Sequence, residues 1–182
     1  MVAAALFFDA EAAALLALLK RMIYTWINKN SFVPQDEERY IYKLQKGEPT
    51  MTKLTLEEKQ ELIRMALAAR ERAYTPYSDF MVGAALRAED GRIFTGCNVE
   101  NAAYGDTICA ERTAAVKAVS SGHRDFVRIA IWGNSKEYCY PCGSCRQFLQ
   151  EFSKHMTVLC AKGDGSFVSH KLSEMMPFFF DF

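Results

Sequence analysis

The stretches Cys109-Ala110-Glu111-Arg112 and Pro141-Cys142-Gly143-Ser144-Cys145-Arg146-Gln147 decide how this chain is read. Each opens a segment of helical periodicity, the first from about Cys109 to Ser121 and the second from about Cys142 to Phe152. Cys-x-x-Cys sets two sulfurs about one helical turn apart, close enough to share an ion, and one further thiolate leaves the fourth position of a tetrahedral site open for water. A helix start suits thiolates, because its unpaired N–H groups and positive dipole end stabilise negative charge. The expected cofactor is therefore a zinc ion on Cys109, Cys142 and Cys145, with catalytic rather than purely structural geometry. Arg112 and Arg146, each the next residue of its motif, are expected to offset the charge of three thiolates on a divalent ion. Glu111 is not needed as a ligand, and a carboxylate beside a zinc-activated water is placed to take a proton and deliver it elsewhere.

Working outward, Thr55 with Glu58 three residues on makes a capping box, and Leu62, Met65, Ala66, Ala69 and Ala73 follow at helical spacing, which predicts a helix over 55–73. Tyr74-Thr75-Pro76-Tyr77-Ser78 stops it. Phe80 to Leu86 and Arg92 to Cys97 read as strands of a hairpin turning at Glu89-Asp90-Gly91. Beyond the first cysteine helix, strands are expected at Val127 to Trp132, Met156 to Ala161 and Ser166 to Ser169, with a last helical turn over Leu172 to Met176. The order α-β-β-α-β-α-β-β-α implies an α/β fold in which a central mixed sheet carries helices on both faces.

Other readings of the cysteines stay open at this level. A redox dithiol uses Cys-x-x-Cys but gives no role to Cys109-Ala110-Glu111. A four-cysteine structural zinc would recruit Cys97, Cys139 or Cys160. His123, His155 and His170 lack ligand spacing and read as surface or half-buried residues.

Composition narrows the function classes. The chain has 182 residues, 50% of them hydrophobic and 24% charged, the balance of a globular protein. Lys plus Arg and Asp plus Glu number 22 each, giving a formal net charge of zero and no basic excess of the kind a polyanion binder shows. Nucleic-acid binding by charge is disfavoured. The Ala/Leu-rich start is interrupted by Asp9 and Glu11 and closes at Lys20-Arg21, so it reads neither as a membrane span nor as a secretory signal. A cytoplasmic setting follows, in which six cysteines serve as ligands or core residues rather than disulfides. Residues 1–50 have no cysteine or histidine and read as an extension of unknown role, with 51–182 as the working domain. Met51 is the expected start of the functional enzyme, since every motif lies beyond it. Lys46-Gly47-Glu48 can also be encoded as a purine-rich ribosome-binding sequence upstream of it.

The domain resembles the small cytidine deaminases. Four ordered motifs carry the resemblance: Tyr77-Ser78-Asp79-Phe80-Met81-Val82-Gly83-Ala84-Ala85-Leu86, Gly96-Cys97-Asn98-Val99-Glu100-Asn101-Ala102, Thr107-Ile108-Cys109-Ala110-Glu111-Arg112-Thr113-Ala114, and the Pro141 to Gln147 run. The resemblance implies a three-layer α-β-α fold on a five-stranded mixed sheet, and zinc-dependent deamination of cytidine and 2′-deoxycytidine in pyrimidine salvage. It also implies zinc on Cys109, Cys142 and Cys145, Glu111 as proton shuttle, and a homotetramer with shared active sites. By the same carry-over Asn98 and Glu100 bind the ribose 3′-hydroxyl, Phe80 lines the base pocket, Tyr104 lies near a subunit boundary, and Phe180 matches a tail aromatic that reaches a neighbour. Blasticidin-type deaminases share the metal motifs, but Asn98-Val99-Glu100-Asn101 is closer to the nucleoside enzymes. Asp106 and Tyr140 depart from the usual pattern, the first where an apolar residue is common and the second where a small one is. The apolar tail Met175 to Phe180 is a further reason to expect assembly.

Overall fold

The computed structural model describes residues 55–180; the expectations for residues 1–50 and for a start at Met51 lie outside them. Helix α1 spans Leu56–Arg70 and opens with the expected capping box, Glu58 N donating to Thr55 Oγ1 at 3.2 Å and Thr55 N to Glu58 Oε2 at 3.0 Å. It ends three residues earlier than the periodicity predicts, because the chain is captured into a β-bridge. Tyr74 N donates to Asn98 O at 3.0 Å and Glu100 N to Tyr74 O at 2.8 Å.

Strands β1 (Val82–Ala88) and β2 (Ile93–Cys97) pair antiparallel, with Gly83 opposite Cys97. The turn between them places Gly91 at a φ of 91°, where a side chain would be strained. β1 begins two residues after Phe80, because Phe80 is held by side chains instead of a ladder: its N–H donates to Ser78 Oγ and its carbonyl accepts from Asn98 Nδ2. A 3-10 turn, Tyr104–Asp106, precedes α2 (Ala110–Ser120), β3 (Phe126–Gly133), α3 (Gly143–Gln150), β4 (Thr157–Ala161), β5 (Phe167–Lys171) and α4 (Leu172–Met175). The element order is the one read from the sequence.

The five strands lie in the order β2-β1-β3-β4-β5, with β3 and β4 parallel and the other pairs antiparallel. Alternation along the strands feeds two cores. Leu86, Ile129, Ile131, Val158 and Cys160 pack with Ala110, Ala114, Ala115 and Ala118 of α2 and Leu149 of α3. Ala85, Ala130, Trp132, Leu159 and Ala161 pack with Leu62, Ile63 and Ala66 of α1. The result is three layers, with α1 on one face of the sheet and α2 and α3 on the other. Gly96 lets α2 lie directly on β2: a Cβ there would sit 2.5 Å from Ala114 N and 2.6 Å from Ala110 O. Since α3 is the crossover between the parallel pair, its N-terminus follows the carboxyl end of β3, where open sheets place their sites.

Candidate active site

Cys109 is the N-cap of α2 and Cys142 the N-cap of α3, and neither side chain caps its helix. Cys145 lies one turn into α3 and is fully buried. The three Sγ atoms come within 4.8 Å of one another, and those of Cys109 and Cys142 are 3.8 Å apart. Two sulfurs about 2.3 Å from one tetrahedral ion lie about 3.8 Å from each other, so this donor set fits zinc. Hydrogen bonds from Cys145, Arg112 and Cys142 pull the Cys109 thiol down to about 5. Cys145, the donor in that pair and buried besides, is pushed up. Zinc binding displaces such protons. Among the described residues no fourth Cys, His, Asp or Glu joins the cluster. Cys139 and Cys160 are buried, and burial pushes both thiols up to about 12, so they are neutral core residues. Cys97 donates to Arg72 O. The four-cysteine alternative has no support in this geometry.

Glu111, in the first turn of α2, is 4% exposed. Burial, and then the charge of Cys109, push its carboxyl up to about 7. A carboxyl poised near neutrality can both accept and release a proton at working pH.

The two arginines part company. Arg112 Nη2 lies 3.8 Å from Cys109 Sγ and donates to Thr107 O at 2.8 Å, which puts its charge beside the sulfur cluster. Arg146, also expected there, instead donates from Nε to Pro141 O at 2.8 Å and from Nη1 to Met175 O at 3.0 Å. Its geometry is that of a backbone brace, tying the carbonyl before Cys142 to that of Met175.

Of the residues carried over for the substrate, Asn98, Phe80, Glu100 and Tyr104 are joined through Ser78 and Tyr77 into one rim, while Phe180 is bonded to Gln147 of α3. Asn98 is buried, with Oδ1 accepting from Val82 N and Nδ2 donating to Phe80 O, both at 2.8 Å; the second Nδ2 proton remains. Glu100 accepts from Tyr77 N at 2.9 Å, from Ser78 N at 3.3 Å and from Ser78 Oγ. Phe80 is partly exposed and meets Cys139 over Gly133, where an added Cβ would lie 3.1 Å from Phe80 Cζ and 3.0 Å from Cys139 Sγ. Tyr104 stands edge-on to Tyr77 at 6.3 Å and is 76% exposed. Phe180, 66% exposed, is held through its backbone by Gln147, whose Nε2 donates to Phe180 O at 2.8 Å and whose Oε1 accepts from Phe180 N at 3.1 Å. Gln147 and Ser78 sit inside the motifs, yet local sequence does not disclose either clamp, since each joins residues more than twenty positions apart.

The family model for the cytidine and deoxycytidylate deaminase zinc-binding region matches residues 56–161, a span that includes all three clustered cysteines and Glu111. A cytidine deaminase of Halalkalibacterium halodurans is 47% identical over 121 residues, 66% of this chain and 92% of that protein. A probable cytidine deaminase of Dictyostelium discoideum is 45% identical over 122 residues, 66% of this chain and 82% of that protein. Among solved structures, a cytidine deaminase from Burkholderia pseudomallei superposes with a TM-score of 0.65 at 42% identity, covering 70% of this chain and all of that one.

Proposed function

We infer the chemistry of this chain from one premise: it belongs to the cytidine and deoxycytidylate deaminase family. It is a zinc-dependent hydrolase that converts cytidine and 2′-deoxycytidine to uridine and 2′-deoxyuridine with release of ammonia, a step of pyrimidine salvage. The observation that carries this reading is the meeting, at two helix starts, of three sulfurs within 4.8 Å and a carboxyl that is 4% exposed. We assign the activity to residues 51–182.

Cys109, Cys142 and Cys145 hold the zinc, which when bound supplies Lewis acidity that brings the pKa of a water near neutrality. Glu111 takes one proton of the attacking water as its oxygen adds to C4 of the ring and delivers it to N3; it then takes the proton left on that oxygen and delivers it to the departing amine. The C4–N bond breaks and ammonia leaves, so the carboxyl ends the cycle as it began. Arg112 offsets the thiolate charge and keeps the centre from becoming too anionic to act as a Lewis acid. Asn98, through its remaining proton, and Glu100 hydrogen-bond the ribose 3′-hydroxyl, and Phe80 forms a wall of the base pocket.

Tyr104 and Phe180 belong to a subunit boundary in this reading, and the working form is a homotetramer. The exposed apolar residues Tyr74, Tyr77, Val99, Tyr104 and Ile108 favour a covered face, since Val99 bridges both Tyr74 and Ile108 in the chain's own backbone pairing. Among the described residues no helix is long and apolar enough to cross a membrane. We place the enzyme in the cytoplasm, where its six free cysteines stay reduced.

The test is turnover of cytidine, 2′-deoxycytidine, cytosine and 3′-deoxycytidine by the zinc-loaded protein. The first two should be converted with loss of the 4-amino chromophore. The last two should fall behind by about tenfold or more, since an acceptor left without its hydroxyl partner costs roughly 1–3 kcal/mol. Equal rates on all four would remove the sugar contacts, and a monomer by light scattering at micromolar concentration would remove the tetramer.

A further inference from the structure

The rim holds more hydrogen bonds than sugar binding requires, and they converge on one hydroxyl. An ionised carboxylate has about four acceptor sites, two on each oxygen. Glu100 Oε2 receives Tyr77 N at 2.9 Å and Ser78 N at 3.3 Å, and Oε1 receives Ser78 Oγ. One acceptor site is left, on Oε1. The Ser78 hydroxyl has a single hydrogen, which it gives to Glu100, and its oxygen accepts from Phe80 N at 3.0 Å. The chain Phe80 N–H to Ser78 to Glu100 thus runs in one direction, and each donor in it has one acceptor.

The backbone around Ser78 is built to stay in place. Asp79 adopts a φ of 56°, a strained value for a residue with a side chain. It is held there by Asp79 N donating to Thr75 O at 3.1 Å and by Asn134 Nδ2 donating to Asp79 O at 2.8 Å. Asn98 braces the next residues, through Phe80 O and Val82 N. The two side chains assigned to the sugar, Asn98 and Glu100, therefore also help to fix the segment bearing the base-pocket wall. The donors on Glu100 also hold its carboxyl below the ordinary value, Ser78 first among them, so it meets a hydroxyl as an acceptor only.

We propose that Ser78 is a positioning residue for sugar recognition: its hydroxyl aims the one free acceptor site of Glu100 at the ribose 3′-hydroxyl and locks that carboxylate to the segment carrying Phe80. The proposal rests on the reading of Glu100 as a 3′-hydroxyl ligand. Ser78 touches neither the sulfurs nor Glu111 in any hydrogen bond of the described residues; it acts through Glu100.

The experiment compares steady-state kinetics on cytidine and 3′-deoxycytidine for the zinc-loaded wild type, Ser78→Ala, Ser78→Thr and Glu100→Gln. Ser78→Ala should raise KM for cytidine by about tenfold, the scale of one charge-assisted hydrogen bond, with kcat falling by less than KM rises. Its kcat/KM on 3′-deoxycytidine should drop by no more than about twofold, so the preference between the two substrates shrinks. Ser78→Thr, which keeps the hydroxyl, should restore most of the preference. Because the preference is a ratio measured in one preparation, a partly folded sample does not distort it. If the alanine variant does not fold, Ser78→Cys, with its weak donor, carries the same comparison. Glu100→Gln reports on the premise: if it keeps the wild-type preference, Glu100 does not read the sugar. If Glu100→Gln loses the preference while the Ser78 variant keeps it, or loses equally on both substrates, Ser78 has only a structural role and the proposal is overturned.

Discussion

Cys145 and Glu111, on the floor of the site, are buried, whereas Tyr104 on its rim and Phe180, proposed to meet a neighbouring subunit, are 76% and 66% exposed. The two regions are held by different forces. The floor is positioned by packing: α2 presses its alanines on the sheet through Gly96, α3 follows the carboxyl end of β3, and the sulfurs arrive with the helix starts. The rim and the tail are positioned by side chains bonded to backbone, Asn98 to Phe80 and Val82, Glu100 to Tyr77 and Ser78, and Gln147 to Phe180. Packing in a close-packed interior cannot be adjusted locally, while a rim of single hydrogen bonds can change one contact at a time. Damage to the floor should therefore abolish chemistry and stability together, and damage to the rim should change substrate preference first.

Replacing a sulfur ligand gives the largest expected effect. Cys142→Ala should lose bound zinc by metal analysis and all measurable deamination, and retention of stoichiometric zinc would show that Cys142 is not a ligand.

Two glycines sharpen the contrast in stability. Gly96→Ala drives a Cβ to 2.5 Å from Ala114 N, against backbone that cannot yield, and should destabilise by about 3 kcal/mol in denaturant melts while weakening zinc retention, since α2 carries Cys109. Gly105→Ala, on the rim turn with nothing within 4 Å, should change stability by less than about 0.5 kcal/mol. Equal losses for the two would mean that α2 does not rest on β2 as described.

How much of this contrast the sequence discloses follows the same division. The floor is legible because its information is local: a helix start, a turn of Cys-x-x-Cys and a carboxylate two residues past a cysteine need no knowledge of distant parts. The near-continuous apolar runs of β1, β3 and β4 likewise fit a sheet covered on both faces. The rim and the tail are not legible in that way, because Ser78 meets Glu100 across 22 residues and Gln147 meets Phe180 across 33. Arg146 shows the limit most clearly. Its neighbour in the motif, Cys145, belongs to the sulfur cluster, yet its guanidinium reaches Met175 O, 29 residues away, since adjacency on a helix does not fix where a long side chain ends. The end of α1 at Arg70 is illegible for the same reason, a bridge from Tyr74 to Val99 overriding local propensity.

The arginines supply the smallest expected effect and a direct comparison. Arg112→Gln should lower zinc affinity by about tenfold in competition with a chelator, the usual scale for a partner of a ligand. Arg146→Gln should leave that affinity close to wild type and instead speed protease cleavage of the segment after Met175, whose carbonyl it releases. A zinc defect of equal size in both variants would restore the charge-tuning role to Arg146.

The central claim, that Glu111 moves the proton at a zinc centre built by Cys109, Cys142 and Cys145, is tested most directly by measuring zinc content and cytidine turnover on the same preparation of Glu111→Gln. The account predicts one zinc per chain, as in the wild type, with kcat reduced by roughly 10²–10⁴-fold, the contribution of a positioned acid–base group. A variant that keeps its zinc and deaminates cytidine at a rate near wild type would contradict it.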